Sequence, residues 1–247
     1  YLKEKLLFSD KEIYLDKDRK LNKKQQNLIY EFIQKKKDGI PLDYILNSTK
    51  FYENDFYVDS RVLIPRPETE ILVDYVNNHF SSPIKVLDAG TGSGCIGISI
   101  ALKNTSSQVY GSDYSDDALN VAHTNKNNLN VENFSLICAD WLSCFKAESF
   151  DLIVSNPPYI ADQDSYLEGL KHEPNKALIA KDNGLGDIKL IVKQSNEVLK
   201  RGGMLMLEHG YQQQEKVENI FKRNHFSDID NLRDFQELPR ITLGTLE

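Results

Sequence analysis

Four consecutive residues, Asn156-Pro157-Pro158-Tyr159, combine a carboxamide, two prolines and a phenol directly after the apolar run Phe150 to Val154. An apolar run of that length reads as a buried strand, so the quartet falls at a strand's carboxyl end, the edge where open α/β sheets bind ligands. Two prolines fix φ and remove two backbone donors, which leaves a stiff corner with free carbonyls. With the Asn156 oxygen and the Tyr159 ring beside them, such carbonyls suit a planar –NH2 group that must be held by acceptors and stacked upon. A plain turn after a strand would use the same residues, so the rest of the chain has to decide between the two.

A second constellation precedes it. Val86-Leu87-Asp88-Ala89 runs into Gly90-Thr91-Gly92-Ser93-Gly94, a glycine turn between strand and helix that allows a ligand close to the backbone. Gly92 to Gly97 also satisfies G-x-G-x-x-G, which keeps a nicotinamide or flavin dinucleotide open. Asp113 ends the next strand, where a carboxylate can accept both hydroxyls of a ribose. Ser115, with Asp116 and Asp117, already supplies the following helix cap and its first-turn charge, so Asp113 is not needed there. Asp140-Trp141 closes a third strand, and the only tryptophan of the chain offers a flat wall for an adenine. Three successive strand ends so equipped indicate a nucleoside-bearing cofactor.

These residues require alternating strands and helices. Strands are expected at Lys85 to Leu87, Gln108 to Gly111, Phe134 to Cys138, Phe150 to Val154 and Met204 to Leu207. Ile96, Ile98, Ile100 and Leu102 alternate as a strand would. The preceding glycine turn and the small Gly97, Ser99 and Ala101 nevertheless argue for a helix packed on a sheet. A further helix carries Ile188, Ile191, Val192, Ser195, Val198 and Leu199 and is expected to end at Gly202-Gly203. The segments His225 to Asp230 and Arg240 to Leu246 are expected to pair antiparallel at the sheet edge. An Asn-rich loop is expected around Asn125 to Asn130.

Before this unit, Leu28, Ile29, Phe32 and Ile33 have helical spacing, and Lys35-Lys36-Lys37 suits the solvated end of that helix before Asp38-Gly39 breaks it. Aromatic and β-branched residues from Phe51 to Ile64 predict a short hairpin around Glu53-Asn54-Asp55. Pro65-Arg66-Pro67 ends it, and a helix through Ile71, Leu72, Tyr75 and Val76 begins near Glu68 or Thr69. The resulting division is a helical segment over 1–50, a hairpin linker over 51–66 and an α/β domain over 67–247. The first residue is Tyr1 rather than Met, so the natural N-terminus is expected to extend further.

Composition sets outer limits. The 247 residues are 40% hydrophobic and 27% charged, enough for one full α/β core with a small appendage. A mean hydropathy of -0.47 and the absence of any run near roughly 18 apolar residues argue against a membrane role. The net charge of -7 argues against a protein that grips nucleic-acid backbone broadly. Cys95, Cys138 and Cys144, with His79, His123, His172, His209 and His225, show no metal-ligand spacing and suit a reducing compartment.

The pattern resembles class I S-adenosylmethionine-dependent methyltransferases, and more narrowly the PrmC/HemK family. The blocks that carry the resemblance are Leu63 to Glu70, Ser155 to Ile160, Glu173-Pro174 with Ala177-Leu178, Leu207 to Gly210 and Arg240 to Gly244. It runs from about Pro41 to the end of the chain. The first 40 residues are only compatible with that family's helical domain. The resemblance implies a Rossmann-like, seven-stranded, mostly parallel sheet with one antiparallel strand. It also implies S-adenosylmethionine as cofactor and methylation of the glutamine in the Gly-Gly-Gln motif of class I peptide chain release factors. Gly90, Thr91, Gly92, Ser93, Gly94, Asp113, Trp141 and Asn156 are then expected to contact the cofactor, and Asn156, Pro157, Pro158 and Tyr159 the target amide. Asn156, Pro157 and Tyr159 are the catalytic candidates, and Arg66 and Glu68 are expected to brace the site. A cytoplasmic monomer without membrane or direct nucleic-acid binding is expected. The nearest alternative is methylation of an exocyclic amine on adenine or guanine, which offers the same planar –NH2 from a flipped-out base.

Overall fold

The computed structural model describes residues 2–16, 18–80 and 83–247, together with the side chains of all of these except Leu2 and Glu4. Tyr1 and Lys17, both within the helical segment expected over 1–50, lie outside the described residues.

The N-terminal segment holds α1 (Leu2–Leu6), α2 (Asp10–Leu15), α3 (Lys23–Lys37) and α4 (Leu42–Leu46). Ser9 with Glu12, and Asn22 with Gln25, form reciprocal capping boxes that start α2 and α3. The three lysines close α3 at its negative end, and Gly39 follows with φ +81°. No residue of α3 is buried.

The hairpin is shorter and earlier than expected. β1 (Thr49–Phe51) pairs with β2 (Asn54–Phe56) across a turn at Tyr52-Glu53, and no strand follows up to Ile64. The backbone there finds other partners. The Asn125 side chain accepts from Tyr57 N–H at 2.6 Å and donates to Tyr57 C=O at 2.9 Å, and Tyr44 Oη donates to Val62 C=O at 2.5 Å. A buried side-chain amide thus takes the place of a neighbouring strand.

The seven-stranded sheet is built from β3 (Lys85–Ala89), β4 (Gln108–Asp113), β5 (Phe134–Cys138), β6 (Phe150–Ser155), β7 (Leu199–Glu208), β8 (Phe226–Arg233) and β9 (Pro239–Leu246). Their order is β5-β4-β3-β6-β7-β9-β8, parallel except for β9, which runs antiparallel to both neighbours. Helices α5 (Glu70–His79), α6 (Cys95–Lys103), α7 (Asp116–Asn128), α8 (Gly186–Val198) and α9 (Gln214–Arg223) accompany it. Val86 and Leu152 pack on one side with Leu72, Ile98 and Phe134. Leu87 and Ile153 pack on the other with Ile188, Ile191 and Phe221. Burial on both faces explains why these strands read as continuous apolar runs.

Helix α6 is buried from Cys95 to Ala101, so its alternating sequence carries no face information. The expected Asn-rich loop is corrected: Asn125 to Asn128 belong to α7, where Asn125 is needed inside rather than at the surface. The expected end of α8 at Gly202-Gly203 is also corrected. The helix stops at Val198, and β7 starts at Leu199 with both glycines inside it. They lie beside a register shift against β6 between Phe150 and Leu152, the kind of irregularity glycines mark in strands. Among the described residues no helix is long and apolar enough to cross a membrane.

Candidate active site

The carboxyl ends of β3, β4, β5 and β6 meet at one edge. Ser112 C=O accepts from both Gly90 and Thr91 N–H at 2.8 Å, which ties the glycine turn to β4. Beneath it lies Asp88, fully buried, whose Oδ2 accepts from Thr91 Oγ1 at 2.6 Å and from Gly97 N–H at 3.0 Å. Its Oδ1 is buried without a protein partner, and burial pushes the carboxyl up to about 6. Asp113 accepts from Gly92 N–H at 3.0 Å through one oxygen and from Ser115 N–H at 2.9 Å through the other. Burial raises this carboxyl too, against those two donors. A carboxylate has more lone pairs than two N–H bonds consume, so Asp113 can still accept from a ligand.

Gly90 has φ +73°, and a Cβ there would lie 2.8 Å from the Trp141 ring. The missing side chain lets the indole lie against the turn. A cleft of about 760 Å³ opens here, lined by Gly90, Thr91, Gly92, Ser93, Asp113, Trp141, Asn156 and Pro158. Gly94 is not among its lining residues. It is the N-cap of α6, and a Cβ on it would meet Ile98 and Ala122.

A second, smaller cavity of about 110 Å³ adjoins the corner after β6, lined by Asn156, Pro157 and Tyr159 with Arg66, Glu68, Glu208 and Arg240. Asn156 lines both cavities, while its neighbours divide, Pro158 to the large one and Pro157 and Tyr159 to the small one.

The supports of this corner come from distant segments. Asn156 Nδ2 donates to Thr69 Oγ1 at 3.1 Å, and Thr69 Oγ1 donates to Glu208 Oε2 at 2.6 Å. Tyr159 Oη donates to Glu208 Oε1 at 3.2 Å, and Gln213 Nε2 donates to Tyr159 C=O at 3.1 Å. Burial pushes the Glu208 carboxyl up to about 7 and drives the Tyr159 phenol up as well. Arg66 pairs with Glu173 at 2.5 Å, and the other Glu173 oxygen accepts from Ile64 N–H at 3.0 Å. Arg66 therefore sits in a salt bridge and lines the small cavity at once.

Thr69, Glu208, Glu173 and Gln213 are absent from the site set expected from sequence. Thr69, Glu208 and Glu173 fall inside blocks that carry the family resemblance. The one local signal is that a carboxylate closes the apolar strand Met204 to Leu207 at the ligand-binding edge.

A family model described as a methyltransferase domain matches residues 80–238. The release factor glutamine methyltransferase of Salmonella typhimurium is 37% identical over 225 residues, covering 89% of this chain and 80% of that protein. The chain belongs to the release factor glutamine methyltransferase family. The protein of the same name from Escherichia coli is 36% identical over 86% of this chain and 78% of its own length. That from Buchnera aphidicola subsp. Schizaphis graminum is 37% identical over 94% and 85%. Among solved structures, a methyltransferase from Pyrococcus furiosus matches with a TM-score of 0.60 at 14% identity, covering 89% of this chain and 98% of that one. The ribosomal protein L11 methylase of Lactobacillus delbrueckii subsp. bulgaricus matches at 0.57 with 21% identity, covering 77% and 84%. At such identities these two establish the fold alone, the Rossmann-like class I methyltransferase fold with its mostly parallel seven-stranded sheet.

Proposed function

We propose that the chain transfers a methyl group from S-adenosylmethionine to the side-chain amide nitrogen of the glutamine in the Gly-Gly-Gln motif of class I peptide chain release factors. The observation that carries this is Asn156, which with Leu63 and Ala177 lines both a cleft of nucleoside size and a small polar cavity, and alone of the three brings a carboxamide to both.

The large cleft fits the cofactor on three counts. Its volume lies in the range of small-molecule sites. The glycine turn opens a cradle against Trp141, and Asp113 has acceptor capacity left for a ribose diol. Gly90 to Ser93, Asp113, Trp141 and Asn156 would hold it. Gly94 supports the turn from behind. When bound, S-adenosylmethionine supplies an electrophilic methyl on a sulfonium.

A carboxamide nitrogen is a weak nucleophile because its lone pair is delocalised into the carbonyl. The protein's contribution is then placement. Asn156 Oδ1 and Pro157 C=O accept the two amide hydrogens, and the Tyr159 ring packs along the amide plane. Orientation of this kind can supply many kcal/mol without a general base. The surplus amide proton is then lost to water, so no side chain has to act as base.

Residues 67–247 form the catalytic part in this reading, 51–66 the linker and 1–50 a docking element. A tripeptide is too small to confer specificity, so the release factor must touch the enzyme elsewhere. Mass spectrometry of the release factor after incubation with enzyme and cofactor tests the function. One added methyl on the Gly-Gly-Gln glutamine supports it, and an unmodified glutamine contradicts it.

A further inference from the structure

We propose that Thr69 and Glu208 are positioning residues that fix which end of the Asn156 carboxamide faces the substrate. The proposal rests on the function just described and concerns its geometry.

The two ends of an asparagine carboxamide are nearly the same shape, so packing alone does not select between them. Hydrogen-bond polarity does. An ionised carboxylate only accepts, and a threonine hydroxyl has a single proton. Glu208 Oε2 takes that proton at 2.6 Å, so toward Asn156, at 3.1 Å, Thr69 offers lone pairs alone. Asn156 must therefore present its NH2 to Thr69 and turn Oδ1 the other way. A flipped amide would set two acceptors against each other in a place where Thr69 and Glu208 are 2% and 1% exposed. It would also meet the substrate –NH2 with another –NH2. Tyr159 donates to the second Glu208 oxygen, so one buried carboxylate sets the polarity of one amide-holding residue and anchors another.

The relay has a pH signature. A protonated Glu208 can donate to Thr69, which frees the threonine proton to face Asn156 and permits the flip. The titratable and charged groups that bear on Glu208 are Glu68, Tyr159, Arg240 and the buried Cys95. Turnover should rise with pH as Glu208 loses its proton.

The test compares the wild type with Thr69→Val, Thr69→Ser, Glu208→Gln and the Thr69→Val/Glu208→Gln double variant. It measures methyl transfer to an intact class I release factor, cofactor affinity by calorimetry, and exchange of the Asn156 side-chain amide protons by NMR without substrate. Thr69→Val, close to isosteric, should lower kcat about 100-fold, as a misplaced reacting group does, and leave cofactor affinity within about threefold. Thr69→Ser should restore kcat to near wild type, and Glu208→Gln should lose the pH dependence. The double variant should lose less than the product of the two single losses, because both changes break one relay, Glu208→Gln disturbing the Tyr159 contact besides. Asn156 amide exchange should quicken in Thr69→Val and not in Thr69→Ser. Wild-type turnover in Thr69→Val, equal damage from serine and valine, or unchanged amide exchange in Thr69→Val would each overturn the proposal. Failure of the wild type to methylate the release factor would instead count against the function, and the exchange comparison would still decide the relay.

Discussion

A side chain at position 184 would place its Cβ 2.1 Å from the carbonyl oxygen of Tyr159. Gly184 has φ +84° and follows Asp182 and Asn183, which are also left-handed, so this bend lies directly against the Asn156 to Tyr159 corner. Ile160 continues the contact by exchanging backbone bonds with Leu178 and Ala180 at 3.0 and 2.9 Å. The corner is thus clamped between β6 and a segment some 25 residues later in the chain.

Gly184→Ala should therefore move Tyr159. The left-handed backbone and the forced displacement together should cost about 2–4 kcal/mol in urea unfolding. In the fraction that folds, kcat should fall while S-adenosylmethionine affinity is retained, because the displaced backbone lines the smaller cavity. Unchanged kcat in the variant would mean that the corner tolerates displacement.

Asn156→Ala should retain cofactor binding within a few-fold by calorimetry. Its kcat should drop by about 100-fold or more, the scale of a misplaced reacting group. Normal kcat and KM would remove Asn156 from the amide-holding role.

Asp88 carries a pH prediction. Its carboxyl is raised to about 6 in the fold, from an ordinary 3.8, by burial. The folded state therefore holds the proton more tightly than the unfolded chain. The stability this contributes is complete below the ordinary value and is lost as pH rises through about 6. Asp88→Asn keeps an oxygen for Thr91 and Gly97 and removes the ionisation. The stability of the variant relative to wild type, cofactor absent, should rise by on the order of 2 kcal/mol between pH 4 and 7. Glu208 titrates in the same direction but is common to both proteins and cancels. A difference that stays flat with pH would show that Asp88 keeps an ordinary acidity.

Removal of residues 1–40 should raise KM for the intact release factor at least several-fold and leave cofactor affinity unchanged. Steady-state kinetics on the shortened and full chains checks this. Equal KM values would place the docking surface elsewhere.

The parts of the site legible in the sequence are those whose chemistry is local. The glycine turn, Asp113, Trp141 and the Asn156 to Tyr159 corner each announce themselves within a few residues of a strand end, and the structure gathers them at one edge. Gly94 reads as part of the same turn, and a Cβ on it would meet Ile98 and Ala122, a relation no short-range pattern shows. Thr69, Glu208 and Gly184 act across long separations, and no short-range pattern couples Thr69 to a carboxylate 139 residues away. In the fold, α9 gives little sequence signal, because only Val217, Ile220 and Phe221 among its ten residues are apolar. The segment from Tyr57 to Ile64 has strand-like composition, but its backbone is satisfied by Asn125 and Tyr44, which pattern alone does not reveal.

The most direct measurement is transfer of labelled methyl from S-adenosylmethionine to a panel of acceptors. These are a purified class I release factor, the same factor with its Gly-Gly-Gln glutamine replaced, DNA and ribosomal RNA. Label on the unaltered release factor alone is the predicted result. Label on nucleic acid with none on the release factor would contradict it and move the substrate to a flipped-out base.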